Sequence, residues 1–421
     1  MFTRGLMNDN VSIALRNALR HYFGYEQFRQ GQEEIINEIM NKRPVLAVLP
    51  TGAGKSICFQ LPSLLMDGIT LVISPLISLM KDQAEALQAK GIGAAYLDSS
   101  LNSNECGKIL YDTLNGRVKF LYVAPERLAN QQFVAFAKRA NITLVAVDEA
   151  HCVSQWGHSF RKDYYNIPDF IALLPKHPLV AAFTATATEE VREDIVNRLN
   201  ISNAKVIVHG FDRPNLYFSV QRSLDKERSL LDFLAKHKNE SGIIYCATRN
   251  KVELVTKILV KQGYLALRYH AGLTSEERQS NQDYFVKGQV QIIVATNAFG
   301  MGIDKADVRF VVHYNMPKDI ESYYQEAGRA GRDGKQAECL LLYDKSDIAV
   351  NTYLIGHDQP DLEWKDKELK LLDKMIVYCN TSGCLRKYLL EYFGERVASS
   401  CNNCGNCSQT KNATWRRFLK L

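Results

Sequence analysis

Apolar residues fall in short, nearly continuous runs along the first 345 positions, and helix-length amphipathic stretches separate them. One set of runs lies at 45–49, 70–74, 119–123, 143–147 and 179–183. A second lies at 242–246, 265–269, 291–295, 309–313 and 339–343. Runs that are apolar at consecutive rather than alternate positions predict strands buried on both faces. With helical connections between them they predict an α/β chain with two parallel sheets in tandem. Residues 211–215, Phe-Asp-Arg-Pro-Asn, carry turn chemistry and read as the linker between the halves. Beyond 346 the pattern becomes helical, at 347–355, 366–379 and 384–392, before a cysteine-rich loop and a basic tail. The expected organisation is a first lobe over 1–210, a second over 211–345, a small helical module over 346–410 and a tail over 411–421. The halves share no sequence period, which excludes a solenoid.

Composition narrows this picture. A chain of 421 residues is long enough for two or three domains. Its 46% apolar and 23% charged residues exclude a disordered, collagen-like or coiled-coil protein. No run of about 18 apolar residues is present, so no membrane span is expected. The first residues lead to no long apolar core, so no signal peptide is expected either. The net charge of +6 permits a polyanionic partner without demanding one. Of the ten cysteines, Cys58, Cys106, Cys152, Cys246 and Cys339 are scattered and read as reduced, buried thiols of an intracellular protein. Cys379, Cys384, Cys401, Cys404 and Cys407 crowd together and read as metal binding rather than a disulfide framework.

Candidate chemistry begins behind the first run. Pro50-Thr51-Gly52-Ala53-Gly54-Lys55-Ser56 precedes a helix. Glycines there let backbone N–H groups wrap a phosphate, the helix start adds partial positive charge, Lys55 reaches the terminal phosphates and Ser56 can ligate Mg²⁺. Leu49 stands where the strict pattern has a glycine. The run at 143–147 ends in Asp148-Glu149-Ala150-His151. At the tip of a buried strand, Asp148 suits the Mg²⁺ shell and Glu149 the activation of the attacking water. Both signals point to Mg-ATP hydrolysis.

Thr-Gly-Ala-Gly-Lys-Ser at 51–56 beside Asp-Glu-Ala-His at 148–151 resembles the superfamily 2 helicases. Residues 151–161, His-Cys-Val-Ser-Gln-Trp-Gly-His-Ser-Phe-Arg, and 321–334, Glu-Ser-Tyr-Tyr-Gln-Glu-Ala-Gly-Arg-Ala-Gly-Arg-Asp-Gly, resemble the RecQ family of DNA helicases over about 17–408. The resemblance implies two RecA-like lobes and a helical zinc-binding module. In the stretch 23–32 it implies that Gln32 reads adenine, Tyr25 stacks on the base and Arg29 helps to hold it; Phe28 reads as core, and Gln30 replaces the usual proline. An amide suits this task because it both donates and accepts. Thr51, Gly52, Ala53 and Gly54 complete the nucleotide-binding set. The loops at 74–83, beginning with Ser74, and at 124–127 would grip a single-strand backbone without reading sequence.

The aromatic-rich loop 151–164 would couple DNA binding to hydrolysis through Trp156, His158, Phe160 and Arg161, with Tyr164 as a further flat face. Ser159 and Lys162 depart from the expected aspartate and proline. Thr188 reads as a helix cap. In the second lobe Thr248, Arg249 and Thr296 would contact DNA phosphate, and Asp304 would reach toward the nucleotide side. Gln325, Arg329 and Arg332 share one segment, with the two arginines three apart on one helical face, and would meet the ATP phosphates when the lobes close. Arg332 is the expected arginine finger and Arg329 its neighbour.

Sixteen residues separate Cys384, at a helix start, from Cys401-Asn-Asn-Cys404-Gly-Asn-Cys407. Four thiolates in this spacing suit tetrahedral Zn²⁺, and 384–407 resembles the family's zinc module. The CxxCxxC spacing also occurs around iron–sulfur clusters. Cys379 reads as a bystander. The tail, with Lys411, Arg416, Arg417 and Lys420, reads as a frayed end.

The resemblance implies an ATP-dependent 3′-to-5′ DNA helicase of recombination, repair and replication that works with Mg²⁺ and Zn²⁺ on single-stranded and tailed duplex DNA. It further implies a monomer, cytoplasmic with the nucleoid or nuclear in a eukaryote, that meets single-strand binding protein or other repair proteins and no membrane. The chain stops fourteen residues after Cys407, which leaves no room for the winged helix and further helical domain of many relatives. An ATP-gated DNA clamp or annealing scaffold is the alternative, and an RNA helicase of the same superfamily is a third reading.

Overall fold

The computed structural model describes residues 9–98, 101–154, 161–300, 305–358, 362–397 and 399–408. It divides into two compact units, Met1–Gly210 and Phe211–Leu421. The first is built on β1 (Val45–Val48), β2 (Ile69–Ile73), β3 (Ala94–Leu97), β4 (Phe120–Val123), β5 (Ile142–Val147), β6 (Leu179–Thr184) and β7 (Lys205–Val208). Their order is β3-β4-β2-β5-β6-β1-β7, and every pairing is parallel. The second is built on β8 (Leu216–Arg222), β9 (Ser241–Tyr245), β10 (Ala266–Tyr269), β11 (Ile292–Ala295), β12 (Val308–His313) and β13 (Ala337–Tyr343). Their order is β10-β11-β9-β12-β13-β8, again all parallel.

The ten strands expected from apolar runs all form, within two residues at each end. Three others, β3, β7 and β8, form as well, each at the edge of its sheet. β7 buries only Ile207 and β8 alternates polar and apolar residues along most of its length, whereas β3, Ala-Ala-Tyr-Leu, is apolar throughout. Edge position alone therefore does not separate them from the expected strands, of which β10 is also an edge. Inside the first unit Phe59 meets Phe183 at 5.4 Å, and this pair joins the Lys55–Leu65 helix to the sheet. Inside the second, β9 carries Gly242 where a Cβ would lie 1.9 Å from the Phe310 ring of β12. Only glycine lets that ring lie flat on the sheet.

After β13 come the helices Ser346–Asp358, Leu362–Asn380 and Leu385–Tyr392. Among the described residues no helix is long and apolar enough to cross a membrane.

The segment 211–215, read as the linker, follows directly on the division at 210/211 and is packed rather than loose. Phe211 is buried and stacks on Phe393 at 4.5 Å, and Arg213 is drawn into hydrogen bonds with the second unit. Turn-forming residues give a bend, but burial of the flanking phenyl ring decides where the bend goes.

Candidate nucleotide site and metal centre

In the first unit β2, β5, β6 and β1 are consecutive neighbours, so the loops at their carboxyl ends lie side by side. The phosphate loop follows β1. Leu49 N–H donates to the Thr184 carbonyl at 3.0 Å, which carries the chain one residue past the strand. Gly52 and Gly54 then adopt φ of 83° and 78°, a left-handed conformation that costs other residues about 1 kcal/mol. Gly54 is the N-cap of the Lys55–Leu65 helix, so the first helical N–H groups face the loop. Lys55 Nζ rests 3.4 Å from the Leu49 carbonyl.

Gln32 is 2% exposed. Its Nε2 donates to the carbonyls of Ala53 at 2.9 Å and Gly54 at 3.2 Å, and its Oε1 accepts from Arg29 N–H at 2.9 Å. Both ends of the amide are therefore engaged within the chain and brace the phosphate loop. Arg29 donates to the Gly52 carbonyl, and its guanidinium lies 5.8 Å from the Tyr25 ring. Tyr25 is 44% exposed, which leaves a flat face open. Phe28 packs against the cluster of Leu15, Leu19, Ile36 and Leu61, as its core reading predicts.

Asp148 lies just past β5. Its Oδ1 accepts from Glu149 N–H at 3.0 Å, and Ser74 Oγ, from the loop after β2, donates to Oδ2 at 3.4 Å. Burial and the adjacent Glu149 raise the Asp148 carboxyl to about 6, against the pull of Lys55. Two carboxylates crowded in a buried place next to a phosphate loop suit a divalent cation, which relieves both. Asp148, with Ser56 at the start of the Lys55–Leu65 helix, would hold Mg²⁺, and the ion would neutralise phosphate charge. Glu149 has φ of 46°, another left-handed residue, and lies 3.3 Å from His151 Nδ1. His151 is fully buried and also meets Thr184 Oγ1 at 2.9 Å, which joins the acidic loop to the end of β6. Sequence reasoning assigned His151 no role beyond its place in the motif. Thr188 accepts from Val191 N–H at 3.4 Å and caps the Glu189–Arg198 helix as predicted.

Trp156, His158, Phe160 and Ser159 lie outside the described residues, as do Asp304 and the tail. Residues 151–154 and 161–164 on either side are described. Arg161 donates to the Pro75 carbonyl at 2.9 Å and ties the aromatic-rich loop to the Ser74 loop. Tyr164, expected as a flat face for a base, is fully buried and donates to the Asp148 carbonyl at 2.9 Å. It is a strut under the acidic loop. Its ring is apolar enough for the core, and the Asp148 carbonyl satisfies its hydroxyl.

In the second unit Thr248 Oγ1 caps the Arg249–Lys261 helix, accepting from Lys251 N–H at 3.3 Å. Arg249 is exposed beside it. Thr296, buried, accepts from Ala298 N–H at 3.4 Å. Gln325 lies half-buried on the Ile320–Ala327 helix. That helix ends before the arginines, so Arg329 and Arg332 do not share a helical face; they lie in the turns that follow it. Gly328 is the helix's right-handed C-cap, and Gly331, with φ of 56°, turns the chain back three residues later. Arg329 is buried and donates to the Gly300 carbonyl, whereas Arg332 is half-buried. Arg213, which the sequence placed in a linker, binds the carbonyls of this same turn.

Cys384, Cys401, Cys404 and Cys407 bring their sulfurs within 4.8 Å of one another. A tetrahedral ion with 2.3 Å bonds to sulfur needs edges of about 3.8 Å, so a small contraction closes the shell. Cys384 is the N-cap of the Leu385–Tyr392 helix. Burial acts to raise its thiol, but N–H groups of Cys401 and Lys387 outweigh this and lower it to about 7. Such donors stabilise the thiolate that a metal requires. Cys379 stays outside the cluster as a buried thiol whose pKa burial pushes up. Of the scattered cysteines, four are buried and Cys106 is half-buried, and all are free.

A phosphate loop and an acidic strand end on one parallel-sheet unit, followed by a second such unit with an arginine-bearing turn, define a two-lobed, nucleotide-dependent helicase class. Residues 29–195 match a DEAD/DEAH box helicase domain, 225–334 a helicase conserved C-terminal domain and 345–408 a RecQ zinc-binding domain. The ATP-dependent DNA helicase RecQ of Bacillus subtilis (strain 168) is 46% identical over 400 residues, covering 94% of this chain and 67% of that protein. The Haemophilus influenzae RecQ is 43% identical over 391 residues, covering 93% and 63%. A putative ATP-dependent RNA helicase, R290, of Acanthamoeba polyphaga mimivirus is 40% identical over 396 residues, covering 93% and 72%. The chain belongs to the RecQ family, and it spans about two thirds of the length of these bacterial relatives.

The fold is also that of more distant proteins. Saccharomyces cerevisiae Dbp5 bound to RNA and ADP BeF3 aligns with TM-score 0.66 at 19% identity, covering 88% of this chain and 98% of that one. The DUF1998 helicase MrfA bound to DNA aligns with TM-score 0.67 at 17% identity, covering 93% and 60%. The zinc-domain match makes Zn²⁺, rather than an iron–sulfur cluster, the metal that the four cysteines suit.

Proposed function

We propose that the chain is an ATP-dependent DNA helicase that moves 3′ to 5′ on single-stranded DNA and separates tailed duplexes during recombination, repair and replication. The observation that carries this reading is that Lys55 and Ser56 after β1, and Asp148 and Glu149 after β5, lie at the same end of one sheet with only β6 between them, on a chain of RecQ descent. In this mechanism the loop N–H groups and Lys55 hold the phosphates, and Asp148 and Ser56 hold Mg²⁺. Glu149 takes the proton of the attacking water, and Arg332 meets the charge on the transferred phosphoryl group, with Gln325 and Arg329 beside it. Tyr25, Arg29 and the braced Gln32 face the adenine side. Thr248, Arg249, Thr296 and Ser74 contact DNA phosphates, and the 151–164 loop with Trp156, His158, Phe160 and Arg161 reports strand binding to the ATP site. A monomer in the cytoplasm, at the nucleoid or in a nucleus, with single-strand binding protein or another repair protein as partner, fits this role.

The test pairs ATPase rate, with and without single-stranded DNA, with unwinding of a 3′-tailed duplex. Stimulation with unwinding supports the helicase. Stimulation without unwinding turns the reading to a translocating clamp or annealing scaffold, and no stimulation overturns the coupling role of the loop. The name of the viral relative keeps RNA as a second substrate class. Matched RNA and DNA strands compared in the same ATPase assay decide between them.

A further inference from the structure

A helix end leaves its last carbonyls without donors from the helix itself, and water normally fills that need. The Ile320–Ala327 helix closes on the backbone itself, with Arg329 N–H donating to the Glu326 carbonyl at 3.2 Å and Ala330 N–H to the Ala327 carbonyl at 3.1 Å, so it is the carbonyls of the turn after it that need other donors. The Arg213 guanidinium donates to the carbonyls of Gly328 at 3.3 Å, Ala330 at 3.0 Å and Gly331 at 2.9 Å. Asn215 Nδ2 adds bonds to Gly331 at 2.9 Å and Lys335 at 2.8 Å. Gly331 has φ of 56°, and a Cβ there would lie 2.4 Å from Asn215 Nδ2, so the turn closes tightly on this segment. Arg329 sits among the three bonded carbonyls, and Arg332 follows them directly.

The other side of the segment is held as firmly. Arg386, on the helix that Cys384 caps, donates to Asp212 Oδ1 at 2.7 Å, to the Arg213 carbonyl at 2.6 Å and to the Leu216 carbonyl. Stacking of Phe211 on Phe393 pins its start. A guanidinium suits the task because its planar fork reaches several acceptors at once, which an ammonium on a flexible stem does not.

We propose that Arg213 is a positioning residue for ATP hydrolysis. It sets the 328–331 turn in the conformation that presents Arg332, and Arg386 holds the Arg213 segment in register with the cysteine-anchored helix. This inference rests on the reading of Arg332 as the phosphate-facing arginine.

The test uses the full chain as Arg332→Ala, Arg213→Ala, Arg213→Lys and the Arg213→Ala/Arg332→Ala double variant. ATP turnover at saturating single-stranded DNA is measured together with KM for ATP, DNA affinity, zinc content and thermal midpoint. Arg332→Ala is expected to lower kcat about 10³-fold. Arg213→Ala is expected to lower kcat by about 10- to 100-fold, the scale of a misaimed catalytic group. Its KM, DNA affinity and zinc content should stay within about threefold of the parent, the pattern of a lost transition-state contact. Arg213→Lys should recover part of the rate, and the double variant should be no slower than Arg332→Ala alone.

Normal kcat in Arg213→Ala beside an inactive Arg332→Ala overturns the positioning role and leaves Arg332 in place. Losses that multiply in the double variant also overturn it. Normal kcat in Arg332→Ala overturns both readings. Should Arg213→Ala fail to fold, Arg213→Lys decides, since a lysine that turns over ATP like the parent removes the need for the fork.

Discussion

The phosphate loop of the first unit and the arginine turn of the second are both short, glycine-bearing bends, yet they are held by different means. The loop at 50–56 takes its shape from consecutive residues: two left-handed glycines, a helix start and a strand just before it. Its brace, Gln32, lies only 21 to 22 positions upstream of the carbonyls it binds. The turn at 328–332 depends on Arg213 and Asn215, which lie 115 to 120 positions away. A bend encoded locally keeps its shape when its surroundings loosen. A bend held by distant donors keeps its shape only while the unit around it is packed, which couples its geometry to the module that ends in the cysteine cluster.

That contrast is open to attack. Cys404→Ser removes one sulfur of the tetrahedral set. Zinc sites of this kind contribute roughly 10 kcal/mol or more to folding. The expected outcome is loss of about one zinc per chain, lost helix signal in circular dichroism and loss of ATP turnover, with nucleotide binding by the first unit retained. A variant that keeps full turnover without metal would break the link between module and turn. Lys55→Ala should lower kcat by about 10³-fold or more with no change in thermal midpoint, because it removes a positioned charge and leaves the local loop standing. Circular dichroism that differs from the parent would mean that the loop is not self-sufficient.

Glu321 tests the packing beside the arginine turn. It is buried on the Ile320–Ala327 helix with Asp319, the Tyr392 hydroxyl and Lys374 around it, and burial with the Asp319 charge raises its carboxyl from 4.5 to about 7. Below pH 4.5 the group is protonated in both folded and unfolded chains and costs nothing. Between 4.5 and about 7 the unfolded chain gives up its proton first, so stability falls by about 3 kcal/mol across that window and then levels. Glu321→Gln should flatten this slope in denaturant titrations run from pH 5 to 8; an unchanged slope assigns the effect elsewhere. The smallest effect belongs to the local side of the comparison. Thr188→Ala, which deletes one helix cap, should cost about 1 kcal/mol in urea unfolding and leave kcat unaltered.

Strands buried along their whole length, such as β1 and β2, were legible because their burial calls for mostly apolar residues. β7 and β8, with several exposed or half-buried positions, were harder to read, and β3 shows that a four-residue apolar stretch at an edge is easily missed. The same logic separates the site residues. Lys55, Asp148 and the Cys401, Cys404 and Cys407 run stand out because their chemistry requires particular residues at short spacing, and Cys384 stands out as a further thiol at a helix start. Tyr164 was misread because an aromatic residue in a loop looks the same whether its hydroxyl meets solvent or the buried Asp148 carbonyl. The two arginines looked like one helical face because the period of three was present, although the helix stops at Ala327.

By itself the sequence determined the parallel α/β architecture, the phosphate loop, the acidic strand end, the metal-binding cysteines and the resemblance to RecQ helicases. The motifs among these are written in short runs, where covalent spacing sets most of the geometry, and the architecture is written in the burial pattern of the strands. Only the tertiary structure decided that 211–215, where the two units divide, is a packed tie, that Gln32 braces the loop it neighbours, and that Arg213 meets the carbonyls of the turn before Arg332. Those roles depend on which distant donor reaches an unmet acceptor, and burial of residues such as Phe211 against Phe393 settles that choice.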